Sequence, residues 1–170
     1  MKLNRSHMTG ALALLLLAGC TVPANGGSKT VGSCVAGADK GQSEAGLKQV
    51  TLCVTSKAKT HAFTVEVAGS VMEQAKGLMF RTSLADDAGM IFPFPEPKPA
   101  SFWMKNTVIP LDIIFVRPNG TIESIAENTI PYSTDPVASG EVVGAVLELR
   151  GGLTAELGIA AGDTVSWRGK

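Results

Sequence analysis

Asp112 sits inside the apolar run "PLDIIFV", just after "SFWMKNT", which carries Trp103, Lys105 and Asn106. If this run is a strand, Asp112 shares a face with Ile114 and Val116. A carboxylate there is costly unless it is paired or hydrogen-bonded. Lys105, Asn106 or Arg81 could satisfy it across the break at Pro110. That pairing would be structural and would fix the chain reversal. The functional alternative is a polar pocket in which Arg81, Trp103, Lys105, Asn106 and Asp112 face a ligand. Aromatic platforms beside polar groups suit sugars and other small molecules. The structural reading is the simpler of the two.

Other chemistry has less to work with. A nucleophile needs a positioned base. After removal of an N-terminal signal, His61 is the one remaining histidine, and it precedes a strand with no evident partner. No spacing of His, Cys and carboxylates suits zinc, and no phosphate-loop glycine pattern appears. Met72, Met79, Met90 and Met104 are soft donors that would suit Cu(I), yet core packing accounts for them. No cofactor or metal is called for, and no catalytic residue is assigned. A glycosidase would need two carboxyl groups about 5–10 Å apart; Asp112 with Glu73 or Glu148 is the pair to measure.

The elements that must position these residues are mostly strands. "HAFTVEVA" alternates, placing Phe63, Val65 and Val67 on one face. Ser70 and Glu73 form a capping box at the start of "SVMEQAKGLMFR", a short helix with Val71, Met72, Ala75, Leu78 and Met79 on one apolar face. "GMIFPF" is a short strand leading into the turn region "PEPKP". "ASFWMK" and "PLDIIFV" are strands either side of "NTVI". "RPNG" turns the chain, so residues 111–126 read as a β-hairpin. "EVVGAVLEL" and "DTVSW" are further strands, and "GGLTAELGI" contains a helical turn. The expected fold is mainly β (α+β), a small antiparallel sandwich or barrel-like domain with one short amphipathic helix.

The front of the chain has another purpose. "MKLNRSHMTGALALLLLAGC" runs from Lys2 and Arg5 through an apolar stretch to small residues, the order of a secretory signal. The apolar stretch is too short to span a bilayer. Leu17-Ala18-Gly19-Cys20 resembles a bacterial lipobox, in which the cysteine becomes the first mature residue and carries lipid. Residues 1–19 are then signal peptide, 20–46 a lipidated N-terminus and flexible tether, and 47–170 a β-rich domain. Thr21 after Cys20 favours the outer membrane, facing the periplasm, by resemblance to lipoproteins of two-membrane bacteria. The plain alternative is a cleaved signal and a free soluble protein.

The 15 basic and 15 acidic residues balance, and loss of Lys2 and Arg5 leaves a formal net charge of −2. That removes the electrostatic basis for nucleic-acid binding. An exported compartment permits a disulfide between Cys34, in the tether, and Cys53; two free thiols are the alternative.

"EQAKGLMFRTSL", "GMIFPF", "SFWMKNTVIPLDIIFV", "AVLELRGG" and "GIAAGDTV" follow one another in an order that closely resembles the family called domain of unknown function 192. The resemblance covers residues 60–168. Matching positions are Glu73, Gly77, Leu78, Met79, Arg81, Gly89, Met90, Phe102, Trp103, Met104, Asn106, Pro110, Asp112 and Asp163. It implies a small, mainly β domain with one helix, often exported or lipid-anchored, and it implies no activity. With an aromatic–polar cluster and no nucleophile–base pair, the expected function is a non-enzymatic envelope lipoprotein that binds a small molecule, glycan or protein partner. A carboxylate-dependent hydrolase of envelope glycans and a structural envelope-assembly protein are the alternatives.

Overall fold

Alternating apolar residues give this chain its strands, and two short helices close its gaps. The computed structural model describes residues 33–57 and 59–168; Cys20 and the signal segment lie outside them. The elements run β1 (Asp39–Gln42), β2 (Lys48–Ser56), β3 (Lys59–Val67), α1 (Val71–Lys76), β4 (Ala88–Phe102), β5 (Leu111–Val116), β6 (Ile122–Ala126), β7 (Val137–Arg150), α2 (Leu153–Leu157) and β8 (Thr164–Ser166). They form one mixed sheet in the order β1-β2-β3-β4-β7-β5-β6, with β8 pairing β2. The fold is thus a β-rich α+β domain.

The sheet is open, but β8 brings its ends together. Thr164 of β8 bridges to Thr121, beside the β5–β6 turn. There Ile122 N–H donates to the Asp163 carbonyl and Val165 N–H to the Gly120 carbonyl, each at 2.8 Å.

Both faces of the central strands are buried. The inner face carries Leu52, Val65, Ile91, Ile114 and Leu147. The outer face carries Met90, Phe92, Ile113, Phe115 and Val146. All six residues of β5 are buried, as expected for a strand covered on both sides.

Four expectations about the strands change. The pairing of β3 with β4 is parallel, because α1 and the segment after it form a crossover between them. β4 is long and continues through "PEPKP"; its ladder to β7 shifts register between Pro93 and Lys98, since proline has no N–H to donate. The strand expected over "ASFWMK" ends at Phe102. Residues 39–42, assigned to a flexible tether, form β1 against β2.

The capping box is present: Glu73 N–H donates to Ser70 Oγ, and Ser70 N–H donates to Glu73 Oε2. The amphipathic packing expected of α1 is not. No α1 residue is buried, and Val71 and Met72 are 83% and 80% exposed. Gly77, with φ of 48°, ends the helix after six residues. Leu78 therefore reaches the core from outside the helix. The helix is held instead by Gln74, whose Nε2 donates to the carbonyls of Ala68 and Pro93, each at 3.1 Å.

Cys34 and Cys53 are bonded, with Cα atoms 6.0 Å apart. This ties the segment before β1 to the core strand β2. A loop of this length restricts the unfolded chain by about 3 kcal/mol in the chain-entropy model. Reduction, or Cys34→Ser, should lower unfolding free energy by about that amount in denaturant titrations. An unchanged midpoint would show that the bond contributes nothing.

Candidate functional site

Asp112 is fully buried. Its Oδ1 accepts from Asn128 N–H at 2.7 Å and Gly152 N–H at 2.8 Å. Its Oδ2 accepts from Thr154 N–H at 2.8 Å and Thr154 Oγ1 at 2.7 Å. The carboxylate therefore joins β5, the segment after β6 and the start of α2. Gly152, the cap residue of α2, has no side chain to meet the first helix amides, and Asp112 does so from another strand. The two adjacent glycines serve this junction differently. A Cβ on Gly151 would come within 2.7 Å of Asn128 Oδ1 and 2.8 Å of Pro110 Cβ, while Gly152 adopts φ of 80°. Arg150 adds an outer tie, donating to Asp86 and to Glu156 of α2.

This corrects the ligand-facing placement of Asp112. Its partners are two backbone segments and a hydroxyl, not Lys105, Asn106 or Arg81. The carboxylate pair posed for a hydrolase also fails. Asp112 stands opposite Leu149, whereas Glu148 stands opposite Ile113, so the two acids project from opposite faces of the sheet. Glu73 is occupied in the capping box.

The open site lies on the outer face. A groove of about 390 Å³ runs between α1, the arm of β4 and the segment after it. Leu78, Phe92, Phe102 and Trp103 line it, Thr107 adds a hydroxyl, and Glu148 lies at its floor. Lys76 and Lys98 also line it and are exposed. Glu148 is only 5% exposed. Burial pushes its carboxyl up to about 8, with no hydrogen bond or neighbouring charge to offset the shift. It is a neutral acid near pH 7, and it lines a groove of mixed polar and aromatic character that opens to solvent. Such groups gather at functional sites.

Of the five expected ligand residues, only Trp103 lines this groove. It is half-exposed, and the Lys105 ammonium stands 5.0 Å from its ring centroid. Arg81 donates to Glu66 of β3 and lines separate surface hollows. Asn106 has φ of 56° and directs its amide to Met79 Sδ at 3.8 Å. His61 lies in β3 opposite Val54, and its Nε2 has no partner among the described residues. Among those residues no group of three or more metal-ligating side chains forms a site. Met90 and Met104 are buried in the outer core.

Glu148 as a floor residue was missed. The signal was the one applied to Asp112: a single acid in an apolar strand, here "AVLEL". What the spacing could not reveal was which of the two acids meets donors and which meets an opening.

A family model described as DUF192, Uncharacterized ACR, matches residues 52–167. A crystal structure of a protein of unknown function from Novosphingobium aromaticivorans DSM 12444 is 48% identical, with a TM-score of 0.76, covering 84% of this chain and 100% of its own. One from Sinorhizobium meliloti 1021, described as a "putative transcription regulator", is 39% identical, with a TM-score of 0.69, covering 71% of this chain and 94% of its own. No curated protein matches.

Two measurements test the contrast between the acids. Asp112→Ala leaves three amides and a hydroxyl without their acceptor and should cost about 3–5 kcal/mol of stability. A loss below about 1 kcal/mol would refute the anchoring role. For Glu148 the folded value, about 8, lies above the unfolded value of 4.5. Below the lower value both states hold the proton. Between the two the unfolded chain ionises first, so stability falls as pH rises, and above the upper value the full penalty remains. Denaturant midpoints of Glu148→Gln should lack this fall, and identical profiles for the two proteins would refute it.

Proposed function

The chain belongs to the DUF192 family, and from that premise we propose that it is a non-enzymatic ligand-binding module of the cell envelope, held by lipid on Cys20. The ligand is a small molecule taken into the groove above Glu148. The carrying observation is the meeting of an unpaired buried carboxyl with an aromatic-lined opening of about 390 Å³. That volume is in the usual range for small-molecule sites and is short for a glycan chain or protein segment. A carboxyl buried without a partner costs stability; a ligand that bonds to it offsets part of that cost.

The location rests on the N-terminal sequence. A basic start, a short apolar run and a lipobox-like "LAGC" support export and lipidation, with Thr21 favouring the outer membrane facing the periplasm. The Cys34–Cys53 bond supports an oxidising compartment. A nucleic-acid role has no support in the balanced charge of this chain.

The groove is tested with indole, a neutral aromatic probe. Its addition should shift the NMR resonances of the Trp103 ring and the Thr107 amide. Ala75→Phe, which fills the groove from α1, should weaken binding about tenfold or more with the thermal midpoint unchanged. Shifts scattered elsewhere, or insensitive to Ala75→Phe, would refute the site. For the anchor, Cys20→Ser should abolish lipid labelling and release the protein from the membrane fraction. A variant that stays membrane-bound would refute it.

A further inference from the structure

The groove's charges are unevenly placed, and this bears on what it takes. Among the described residues lining it, Lys76 and Lys98 are the cations and Glu148 the carboxylic acid. Both lysines are exposed at the mouth, whereas Glu148 is at the floor. The Lys98 ammonium sits 4.5 Å from the centroid of the Phe94 ring. Leu78, Phe92, Phe102 and Trp103 supply apolar lining, beside the polar Gln74 and Ser101.

Resting on the binding reading above, we propose that the ligand is a small amphipathic anion. Its negative group lies between Lys76 and Lys98, its apolar body lies along the aromatic walls, and its inner end accepts a hydrogen bond from the Glu148 carboxyl. Each part answers a different feature. The anionic group meets the two exposed ammonium groups, whose attraction acts through solvent and weakens with salt. The apolar body packs against the aromatic lining, where Phe92 and Phe102 meet edge to face with centroids 5.1 Å apart. The acceptor at the inner end supplies the partner that Glu148 lacks.

A cationic ligand fits poorly. It would need Glu148 ionised in a place 5% exposed, and it would pass two ammonium groups to reach it. The surroundings of Glu148 do not supply the counter-charge for ionisation. On its own sheet face it stands opposite Met90 of β4 and Ile113 of β5. One strand further, opposite Met90, is Glu66, whose Oε2 is held by Arg81 and whose Oε1 has no partner among the described residues. From α1 and the β4 arm come Lys76 and Lys98, and from the segment after β4 the Thr107 hydroxyl. Lys105 is drawn to the Trp103 ring. With its carboxyl pushed up to about 8, Glu148 is a donor at neutral pH and ceases to be one in mild alkali.

The test is a calorimetric titration of the full-length chain with 4-hydroxyphenylacetate, phenylacetate and tyramine. These share one ring and differ in the outer charge and the inner acceptor. At neutral pH 4-hydroxyphenylacetate should bind about tenfold or more tighter than tyramine, and tighter than phenylacetate, which lacks the inner acceptor. Its affinity should fall about tenfold on raising the pH about one unit past the Glu148 value. Glu148→Gln, which still donates, should retain binding and lose the pH dependence. Replacing both Lys76 and Lys98 by Ala should weaken 4-hydroxyphenylacetate about tenfold and leave indole unaffected. Tighter binding of tyramine, or anion binding that strengthens with pH, would overturn the proposal in favour of a cation site. If none of the three binds while indole does, the anion class is wrong and the groove stands. If indole also fails, the groove reading itself is wrong.

Discussion

The fold turns on a carboxylate that has no exposure and four donors. Asp112 comes from the middle of the sheet, and it meets Asn128, Gly152 and Thr154, residues 16, 40 and 42 positions away. A buried charge is expensive, but one surrounded by amides aimed at it is largely solvated by the protein. The hydrophobic effect has no direction and cannot choose where α2 begins. Hydrogen bonds can. Asp112 fixes the end of β7, the start of α2 and the exit from β6 at one point, and the short route from α2 to β8 then follows.

That junction sets up the two faces of the sheet. On the inner face, α2 contributes Leu153 to the core and its neighbour Ile159 joins it. The outer face has a thinner cover. α1 is six residues long and buries none of them, so the outer core is finished by Leu78, Met104 and the ends of β4. A cover of that kind leaves a gap, and the groove is the gap. Glu148 projects into it for the same alternation that sends Leu147 and Leu149 inward. Asp112 and Glu148 thus differ in what they meet. One side of the sheet holds a carboxylate saturated by donors, and the other a carboxyl with an opening before it.

Much of this was legible in the sequence, wherever the signal was local. The capping box of Ser70 and Glu73, the hairpin over 111–126 and the turn at Pro118–Gly120 each depend on residues a few positions apart. So did the reasoning that Asp112 needed partners, although the partners themselves did not. Gly152 and Thr154 reach Asp112 through sheet pairing between β5 and β7, which no short-range pattern encodes. The apolar residues of α1 misled for a related reason. Val71 and Met72 have helical spacing, but Gly77 shortens the helix before its face can settle on the sheet. The length of β4 was hidden because prolines usually end a strand; here the ladder shifts register and resumes.

The groove is also preformed, and the backbone around it shows why. Its wall after β4 is clamped from two sides. Phe80 N–H donates to the Asn106 carbonyl at 2.8 Å, Tyr132 N–H to the Thr107 carbonyl at 3.1 Å, and Met104 N–H to the Ser133 carbonyl at 2.9 Å. Phe80, Asn106 and Tyr132 all have positive φ, at 65°, 56° and 63°. For Phe80 and Tyr132 that region costs roughly 1–2 kcal/mol each, whereas asparagine adopts it more readily. Three such residues around one short segment mean that the surrounding contacts over-determine its shape. A rigid wall loses little entropy when a ligand enters, which raises affinity for a given set of contacts. The clamped segment carries Trp103, which lines the groove and is half-exposed. Phe80, Asn106 and Tyr132 do not line the groove themselves; they shape the segment that carries Trp103 and Thr107 to it.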